Sequence, residues 1–524
     1  LPATVADSIE TDALVIGAGI AGSIAALAAA DAGAEVLVIQ LEADPAESNT
    51  YWAQGGIIHR GVEDSPELLA GDIEAAGAGL CFGPAVERLS ADGPGLVERI
   101  LIDRLGVEFD RKPDGSLDLT GEAAHSRRRI IHARDRTGKA IAERLTASLA
   151  GHPRIRQLKS VTAIDLLTLS HHSKHPLDIY EPPTCAGVYA FFREEGTVRA
   201  LLARQTALAT GGLGQLFLHT TNPRLARGDG VAMAYRAGAR LLNLEYVQFH
   251  PTALYEEKPR RFLISEAVRG EGGRLTRRDG TAFVEKYDPR GSLAPRDIVA
   301  RAIHEELLTH DEPFVYLDIS HKPADWIRER FPQIHAVCLE AGIDITREPM
   351  PVVPAAHYSC GGVAVDLEGR TSIRGLSAVG EVACNGLHGA NRLASTSLLE
   401  AVVFGHLTGK AMAEALGETR GGWPPPIQPW KEEAEPVDPA LILQDWLTIK
   451  YTMWNYVGLV RTAKRLQRAL RTLRDLQTEI ESFYDHGKLG DGLIGLRHGV
   501  QAALAVTFAA LENRVSRGCH YRLD

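Results

Sequence analysis

The chain has 524 residues, a formal net charge of −10, 45% hydrophobic and 24% charged residues. That length allows roughly two to four structural units with ample core, and the acidic balance excludes a general nucleic-acid or membrane-surface binder while leaving room for a local cationic pocket. The six cysteines (Cys81, Cys185, Cys338, Cys360, Cys384, Cys519) are scattered without a CxxC, so a disulfide framework, an iron–sulfur site and a zinc site are not expected and a reducing cytoplasm fits best.

No apolar run is expected to reach the length of a membrane span. The start, LPATVADSIETD, lacks the basic and apolar regions of a secretory signal. Residues 12–40 read as strand, turn, helix, strand. Ala13 to Ile16 is apolar, Gly17-Ala18-Gly19-Ile20-Ala21-Gly22 follows, an alanine-rich helix runs to about Ala32, and Glu35 to Ile39 is the next strand. In that context a GxGxxG becomes a dinucleotide fingerprint. Gly17 makes the turn, Gly19 admits a pyrophosphate, and Gly22 lets helix and strand pack closely. Gln40 stands at the end of the second strand, where an acidic residue would meet a ribose; its amide can still bond a hydroxyl.

Ser48 to Gly56 is polar, aromatic and glycine-rich, suited to the edge of a polar heterocycle or to a structured surface loop. Residues 64–80, 84–105 and 139–149 have helical spacing. Residues 109–120 contain Pro-Asp-Gly and predict a turn or hairpin. Strands are expected at 164–169, 185–192, 197–200 and 203–209, the last ended by Thr210-Gly211-Gly212-Leu213-Gly214, and a helix at 229–238. The His171-His172-Ser173-Lys174-His175 run has no acidic or thiol partners nearby and reads as a solvated loop.

Residues 246–351 are more polar and carry exposed-type arginine motifs, which predicts an inserted domain. Four segments follow: 1–245 and 352–420 as two parts of one α/β cofactor domain, 246–351 as an α+β insert, and 430–524 as a helical bundle after the linker Gly421-Gly422-Trp423-Pro424-Pro425-Pro426. In the second part, Ser395, Thr396 and Ser397 precede an apolar run and can cap a helix beside Arg392. Such a helix start is a place to hold an anion, or simply a tight turn and a buried helix. His250, Ser265-Glu266, Arg296, His357 and Arg392 come from the insert and from both sides of it, and together they would bind a small dianion.

Several motifs in order carry a family resemblance: GAGIAG (17–22), SNTYWAQGG (48–56), HSRRRIIHARDRTG (125–138), ATGGLGQLF (209–217), TTNP (220–223), QFHPTALY (248–255), RGEGG (269–273), APRDIVARAI (294–303), HYSCGGV (357–363), GEVACNGLHGANRLASTSLLE (380–400) and SRGCHYR (516–522). Over nearly its whole length the chain resembles the succinate dehydrogenase/fumarate reductase flavoprotein family, and within it the branch that oxidises aspartate. The resemblance implies a Rossmann-like FAD-binding domain interrupted by a capping domain, then a helical C-terminal domain. It places Gly17, Gly19, Ala21, Gly22, Gln40, Ser48, Asn49, Thr50, Gln54, Gly55, Gly56, Ala209, Thr210, Gly211, Asp229, Glu381, Ser397 and Leu398 on FAD. Covalently flavinylated relatives have a histidine where this chain has Asn49, so noncovalent FAD is expected.

The same resemblance puts His250, Ser265, His357 and Arg392 on the substrate carboxylates. Arg296 becomes the proton-transferring arginine, with Glu266 and Arg269 as relay members. Glu122 matches the acidic residue that would meet an amino group; a solvated loop carboxylate is the other reading, and Ala123-Ala124 replace the more usual glycines. The implied reaction is oxidation of L-aspartate to iminoaspartate, with oxygen or fumarate as acceptor and quinolinate synthase as the metabolic successor in NAD biosynthesis. The alternatives are a fumarate reductase or succinate dehydrogenase flavoprotein subunit with an iron–sulfur partner, and a flavin-binding protein without turnover.

Overall fold

The strand Ser8–Ile16 (β1) lies in the middle of a twisted sheet, flanked by Val36–Ile39 (β2) and, on the other side, by a long strand from the second half of the cofactor domain's first part. The computed structural model that shows this describes residues 8–122, 124–256, 261–418, 423–430 and 435–524. Ala123 of the Glu122 loop and Gly421 and Gly422 of the expected linker lie outside the described residues. Next in the chain come Ile155–Leu158 (β3), Val161–Thr168 (β4), Cys185–Phe192 (β5) and Thr197–Leu208 (β6). The sheet order is β3-β2-β1-β6-β5-β4, with Leu376–Ala378 pairing parallel to β6. Ala13 pairs with Val36 and Ile16 with Leu208, all in parallel register.

The short run Ala13 to Ile16 is apolar throughout because both faces are covered. Leu14 and Ile16 point into one core and Ala13 and Val15 into another, the alternation a pleated strand imposes. The two strands expected at 197–200 and 203–209 are one continuous strand, β6. Its first half pairs with β5 and its second half with Leu376–Ala378, while β1 runs along nearly all of it, so no break is needed where the sequence suggested one.

The first helix, Ile20–Asp31 (α1), is alanine-rich because a second helix lies against it. A Cβ on Gly409 of that partner would come 2.2 Å from the Ala25 carbonyl. The helical reading of 84–105 holds, but its second half is a π-helix, Val97–Arg104, following Gly83–Leu96. Pro94 inside the first half has no N–H to give, and Arg60 takes up the Ser90 carbonyl instead (3.1 Å). The helix Asp229–Arg236 (α2) follows β6.

A second, four-stranded antiparallel sheet is built from Val247–Leu254 (β7), Arg274–Thr276 (β8) and Val315–Asp318 (β9) of the expected insert and from Met350–Ser359 (β10), which runs out of it into the segment that follows, in the order β7-β10-β9-β8. Glu266–Gly270 (α3) and Arg296–His310 (α4) pack on it over a separate apolar core. Two register shifts interrupt the β7–β10 ladder. Gln248 pairs with Tyr358 and Phe249 with Ala356, which leaves His357 as the extra residue; the second shift falls after His250, where Pro251 can donate no ladder bond.

Thr396–Ala415 (α5) is the helix that packs on α1. Pro439–Val457 (α6), Ala463–His486 (α7) and Asp491–Glu512 (α8) form the C-terminal bundle. By length and composition α8 is apolar enough to cross a membrane, contrary to the sequence expectation, because its Arg497 and His498 are too few to offset the rest. With 72% of its apolar window buried, it is the central helix of the bundle, and His498 is held by the Ile164 carbonyl (3.0 Å).

Candidate active site

A cavity of about 350 Å³ runs from the β1–α1 turn to the facing insert. At one end the walls are backbone. Gly17 has φ +110°, and a Cβ there would lie 2.3 Å from the Ala209 carbonyl; a Cβ on Gly22 would lie 2.1 Å from the Gly17 carbonyl. Gly19 meets only the Thr50 hydroxyl, at 3.5 Å, and so leaves room for a ligand. The amides of the first helical turn have no intrahelical acceptors, and the helix dipole adds positive potential there. Thr50 Oγ1 accepts from Ile20 N (3.0 Å) and ties the 48–56 loop to that turn.

Beyond the turn lie Gln40, Ser48, Asn49, Gln54, Gly55, Gly56, Ala209, Thr210, Gly211, Glu381, Ser397 and Leu398, all on the cavity wall. Gln40 donates from Nε2 to Gln157 (2.9 Å), leaving its carbonyl oxygen for a ligand. The Thr210 hydroxyl and the Gln54 carbonyl oxygen are buried without partners. Burial raises Glu381 to about 7, where the Ser359 N–H (3.0 Å) and the Asn49 amide (3.2 Å) hold it. A Cβ on Gly212 would strike it at 2.1 Å. Asp229 lines the wall too, but Arg227 (2.8 Å) and His498 (3.3 Å) already engage its carboxylate.

The far end is built from side chains. The two bulges turn His250 and His357 toward each other, ring centroids 5.4 Å apart. His250 Nδ1 accepts from Thr252 N (3.2 Å), so its Nε2 carries the proton; His357 Nδ1 shares a hydrogen bond with the Thr221 hydroxyl (2.8 Å). Burial, then the nearby arginines, push both imidazoles well below their ordinary range, so both stand neutral, with His250 Nε2 a hydrogen-bond donor. Arg392 lies over the Tyr358 ring (4.4 Å), held by Gln248 (3.1 Å) and Ser397 (3.2 Å), and its Nε is buried without a partner. Burial and the charge of Arg296 depress Arg392. An anion between the two guanidinium groups would relieve both effects.

Arg296 opens α4 and Glu266 opens α3, and their side chains meet at 2.5 Å. Burial works against the charge of Arg296, but Glu266 and then Glu122 hold it above its ordinary value. Arg269, 1% exposed, does not reach the cavity. It stands behind Glu266 (3.5 Å) and donates to the Ser292 carbonyl (2.7 Å). Ser265 caps α3 by accepting from Ala267 N (3.3 Å) and lines the cavity with its hydroxyl hydrogen still free to donate.

Glu122 lies on the same wall. It is half-buried rather than freely solvated: burial raises its carboxyl, while the Ser395 hydroxyl, at 2.7 Å, and Arg296 oppose the rise. Ser395 therefore does not cap α5. It occupies the N-cap position at φ +56° with no capping bond from its side chain, because its hydroxyl is turned to Glu122. A missing cap costs about 1 kcal/mol.

Two conserved-domain families cover most of the chain: the FAD binding domain matches residues 12–398 and the fumarate reductase flavoprotein C-terminal domain residues 447–524. "L-aspartate oxidase 1" of Ralstonia nicotianae is 45% identical, over 98% of this chain and 95% of that protein. "L-aspartate oxidase, chloroplastic" of Arabidopsis thaliana is 40% identical over 98% of this chain and 81% of that protein. The chain belongs to the L-aspartate oxidase family. A solved mutant of Escherichia coli quinol fumarate reductase FrdA superposes with a TM-score of 0.88 at 30% identity, covering 99% of this chain and 92% of that one.

FAD is the cofactor of this oxidoreductase. The residues present fit it: a glycine turn that excludes side chains, a free helix N-terminus, and orphaned polar atoms at Thr210 and Gln54. Gly22 packs the turn without touching the cavity. Within this L-aspartate oxidase fold, Thr221, Tyr358, Gln248 and Ser395 also serve the site, and none was singled out from the sequence for that purpose. TTNP and QFHPTALY stood out as motifs, but which of their side chains would face Arg392 and His357 depends on the two bulges.

Proposed function

We propose that the chain oxidises L-aspartate to iminoaspartate, with oxygen (giving hydrogen peroxide) or fumarate as the electron acceptor. FAD held in the cleft would supply the two-electron redox chemistry. The protein's part is to bind, orient and exclude water. Arg392, with its free Nε and planar fork, takes one carboxylate, and the neutral His250 and His357 donate to the dianion without adding charge. Fixing both carboxylates fixes the direction of the Cα–H bond, which is where most of the rate advantage of such a site lies. For fumarate, Arg296 delivers the proton and is reprotonated through Glu266, with Arg269 behind it.

The observation that carries the amino-acid assignment is Glu122, a carboxylate on the cavity wall that is held by the Ser395 hydroxyl rather than paired with an arginine as Glu266 is. Succinate needs no such anion. An ammonium does, and its arrival would favour the ionised carboxylate. Asn49 offers an amide bonded to Glu381 rather than a nucleophilic nitrogen, which supports noncovalent FAD. Iminoaspartate hydrolyses in water, so its consumer must act promptly. We assign that step to quinolinate synthase, in NAD biosynthesis, and place the enzyme in the cytoplasm without a membrane or nucleic-acid partner.

The test is anaerobic mixing of the yellow holoenzyme with L-aspartate and, separately, with succinate. Bleaching by L-aspartate, followed by peroxide when air is admitted, is the expected outcome. Bleaching by succinate alone would overturn the assignment in favour of a fumarate reductase or succinate dehydrogenase flavoprotein subunit.

A further inference from the structure

We propose that Ser395 and His125 form a latch that holds the Glu122 carboxylate in the pocket, and that the latch sets the preference for an amino dicarboxylate over an unsubstituted one. The inference rests on the reading of Glu122 as the acceptor of the substrate ammonium. Neither residue need touch the substrate; both are positioning residues.

Two bonds join the Glu122 loop to the start of α5. Ser395 Oγ donates to Glu122 Oε2 at 2.7 Å, and His125 Nε2 lies 3.0 Å from the Ala394 carbonyl. A carbonyl can only accept, so His125 carries its proton on Nε2. Its Nδ1 is buried without a partner, and burial pushes the imidazole below its ordinary range, which keeps that tautomer neutral. The His125 amide closes a turn on the Glu122 carbonyl (3.2 Å), and the Ser126 amide and hydroxyl are pinned on Asp72 (2.9 Å each). The loop is thus tied at Glu122 and again just beyond it. Among the described residues, Glu122 Oε1 has no hydrogen-bond partner. The latch takes one oxygen and leaves the other to the cavity.

The backbone at Ser395 points the same way. At φ +56° a glycine would sit without strain, and the serine hydroxyl does not serve as a cap. Its observed bond is to Glu122. The groups facing Glu122 are Ser395 at the start of α5, Arg296 from α4, Glu266 from α3 and Arg392 before α5. Donation from Ser395 favours the ionised carboxylate against the burial that disfavours it. Losing the hydroxyl should therefore weaken the grip on an ammonium and move the acid limb of L-aspartate oxidation to higher pH.

The experiment compares FAD-loaded wild type, Ser395→Gly and His125→Phe. Apparent Kd for L-aspartate comes from anaerobic flavin reduction, and for succinate from the perturbation of flavin absorbance. Ser395→Gly relieves the left-handed backbone, so a purely structural role predicts equal or greater thermal stability and an unchanged ratio of the two constants. The latch predicts a ratio shifted about tenfold against L-aspartate, equivalent to about 1.4 kcal/mol, with an acid limb displaced upward. His125→Phe should shift the ratio in the same direction by less. An unchanged ratio in both variants, or equal weakening of both ligands, overturns the latch. A wild type that L-aspartate does not reduce overturns the functional reading beneath it instead.

Discussion

The two ends of the cavity are made of different material. The β1–α1 end is backbone, and its specificity lies in missing side chains: Gly17 and Gly22 admit no Cβ at all. The far end is side chain, and its residues arrive from six separate places: Glu122 on a loop, His250 and His357 on two bulged strands, Glu266 and Arg296 at two helix starts, Arg392 before a third. A backbone site fails all at once when one atom is added. A side-chain site loses one function at a time. Experiments that separate those two modes of failure test the contrast most directly.

The largest effect should come from Gly22→Val. Its Cβ would press on the Gly17 carbonyl at 2.1 Å and on the Ala209 methyl at 2.9 Å, with only backbone to yield on the first side. The turn that receives the pyrophosphate cannot form around it. The protein should purify colourless, and the ratio of flavin to protein absorbance should fall to background. Retention of stoichiometric FAD would break the claim that this end is a steric cradle.

Arg296→Leu should do the opposite, keeping the flavin and losing the chemistry. Proton-transferring groups contribute about 10²–10⁴-fold, so fumarate reduction by pre-reduced enzyme should fall by that order while the yellow colour persists. The same substitution removes the partner of Glu266 at 2.5 Å, which leaves Arg269 (3.5 Å) to oppose the rise that burial drives in that carboxyl. A variant that keeps full fumarate reductase activity would remove Arg296 from the proton path.

The contrast also explains what could be read in the sequence. Gly17, Gly19 and Gly22 announce themselves because strand, turn and helix lie within one short stretch. Arg296, Glu266 and Glu122 are far apart in sequence, and only the family resemblance assigned them roles. Physical reasoning on the residues alone reached a dianion pocket but not its members' partners. Ser395, Thr396 and Ser397 were read together as able to cap the helix, and Ser395, which takes the N-cap position, does not; its left-handed backbone, which turns the hydroxyl to Glu122, has no local sequence signal. The bulge at His357 depends on the pairing of Gln248 with Tyr358, a long-range fact. The apolar character of α8 is likewise a consequence of its place at the centre of the bundle.

Stability should depend on pH through histidines outside the cofactor end. His219, His304 and His520 are each lowered to about 4, by burial first and a neighbouring arginine second. Between their ordinary value near 6.5 and about 4, the unfolded chain binds protons that the folded one does not. Stability therefore rises with pH across that window, and acidification from pH 6.5 toward pH 4 should cost up to about 1.4 kcal/mol per pH unit for each group. Denaturant midpoints measured at pH 7.5, 6 and 5 check this. A midpoint that is flat across that range would show that these imidazoles are freely protonated in the folded protein.

The smallest effect is expected where the two ends meet, at Gly55. The sequence placed it with the flavin glycines, but a Cβ there would lie 3.0 Å from Glu122 Oε1 and 3.3 Å from Ser395 Oγ, and against no backbone. Those neighbours are side-chain tips that can yield by a few tenths of an ångström. Gly55 has no positive φ to make alanine costly. Gly55→Ala should therefore leave FAD content and thermal midpoint nearly unchanged while raising the L-aspartate KM by a few-fold, about 0.5–1 kcal/mol on the affinity scale. Lost flavin with an unaltered KM would place Gly55 with the backbone cradle. A KM effect with retained flavin would place it with Glu122, and would mark this residue as the point where the cavity passes from a site made by absent atoms to one made by charged ones.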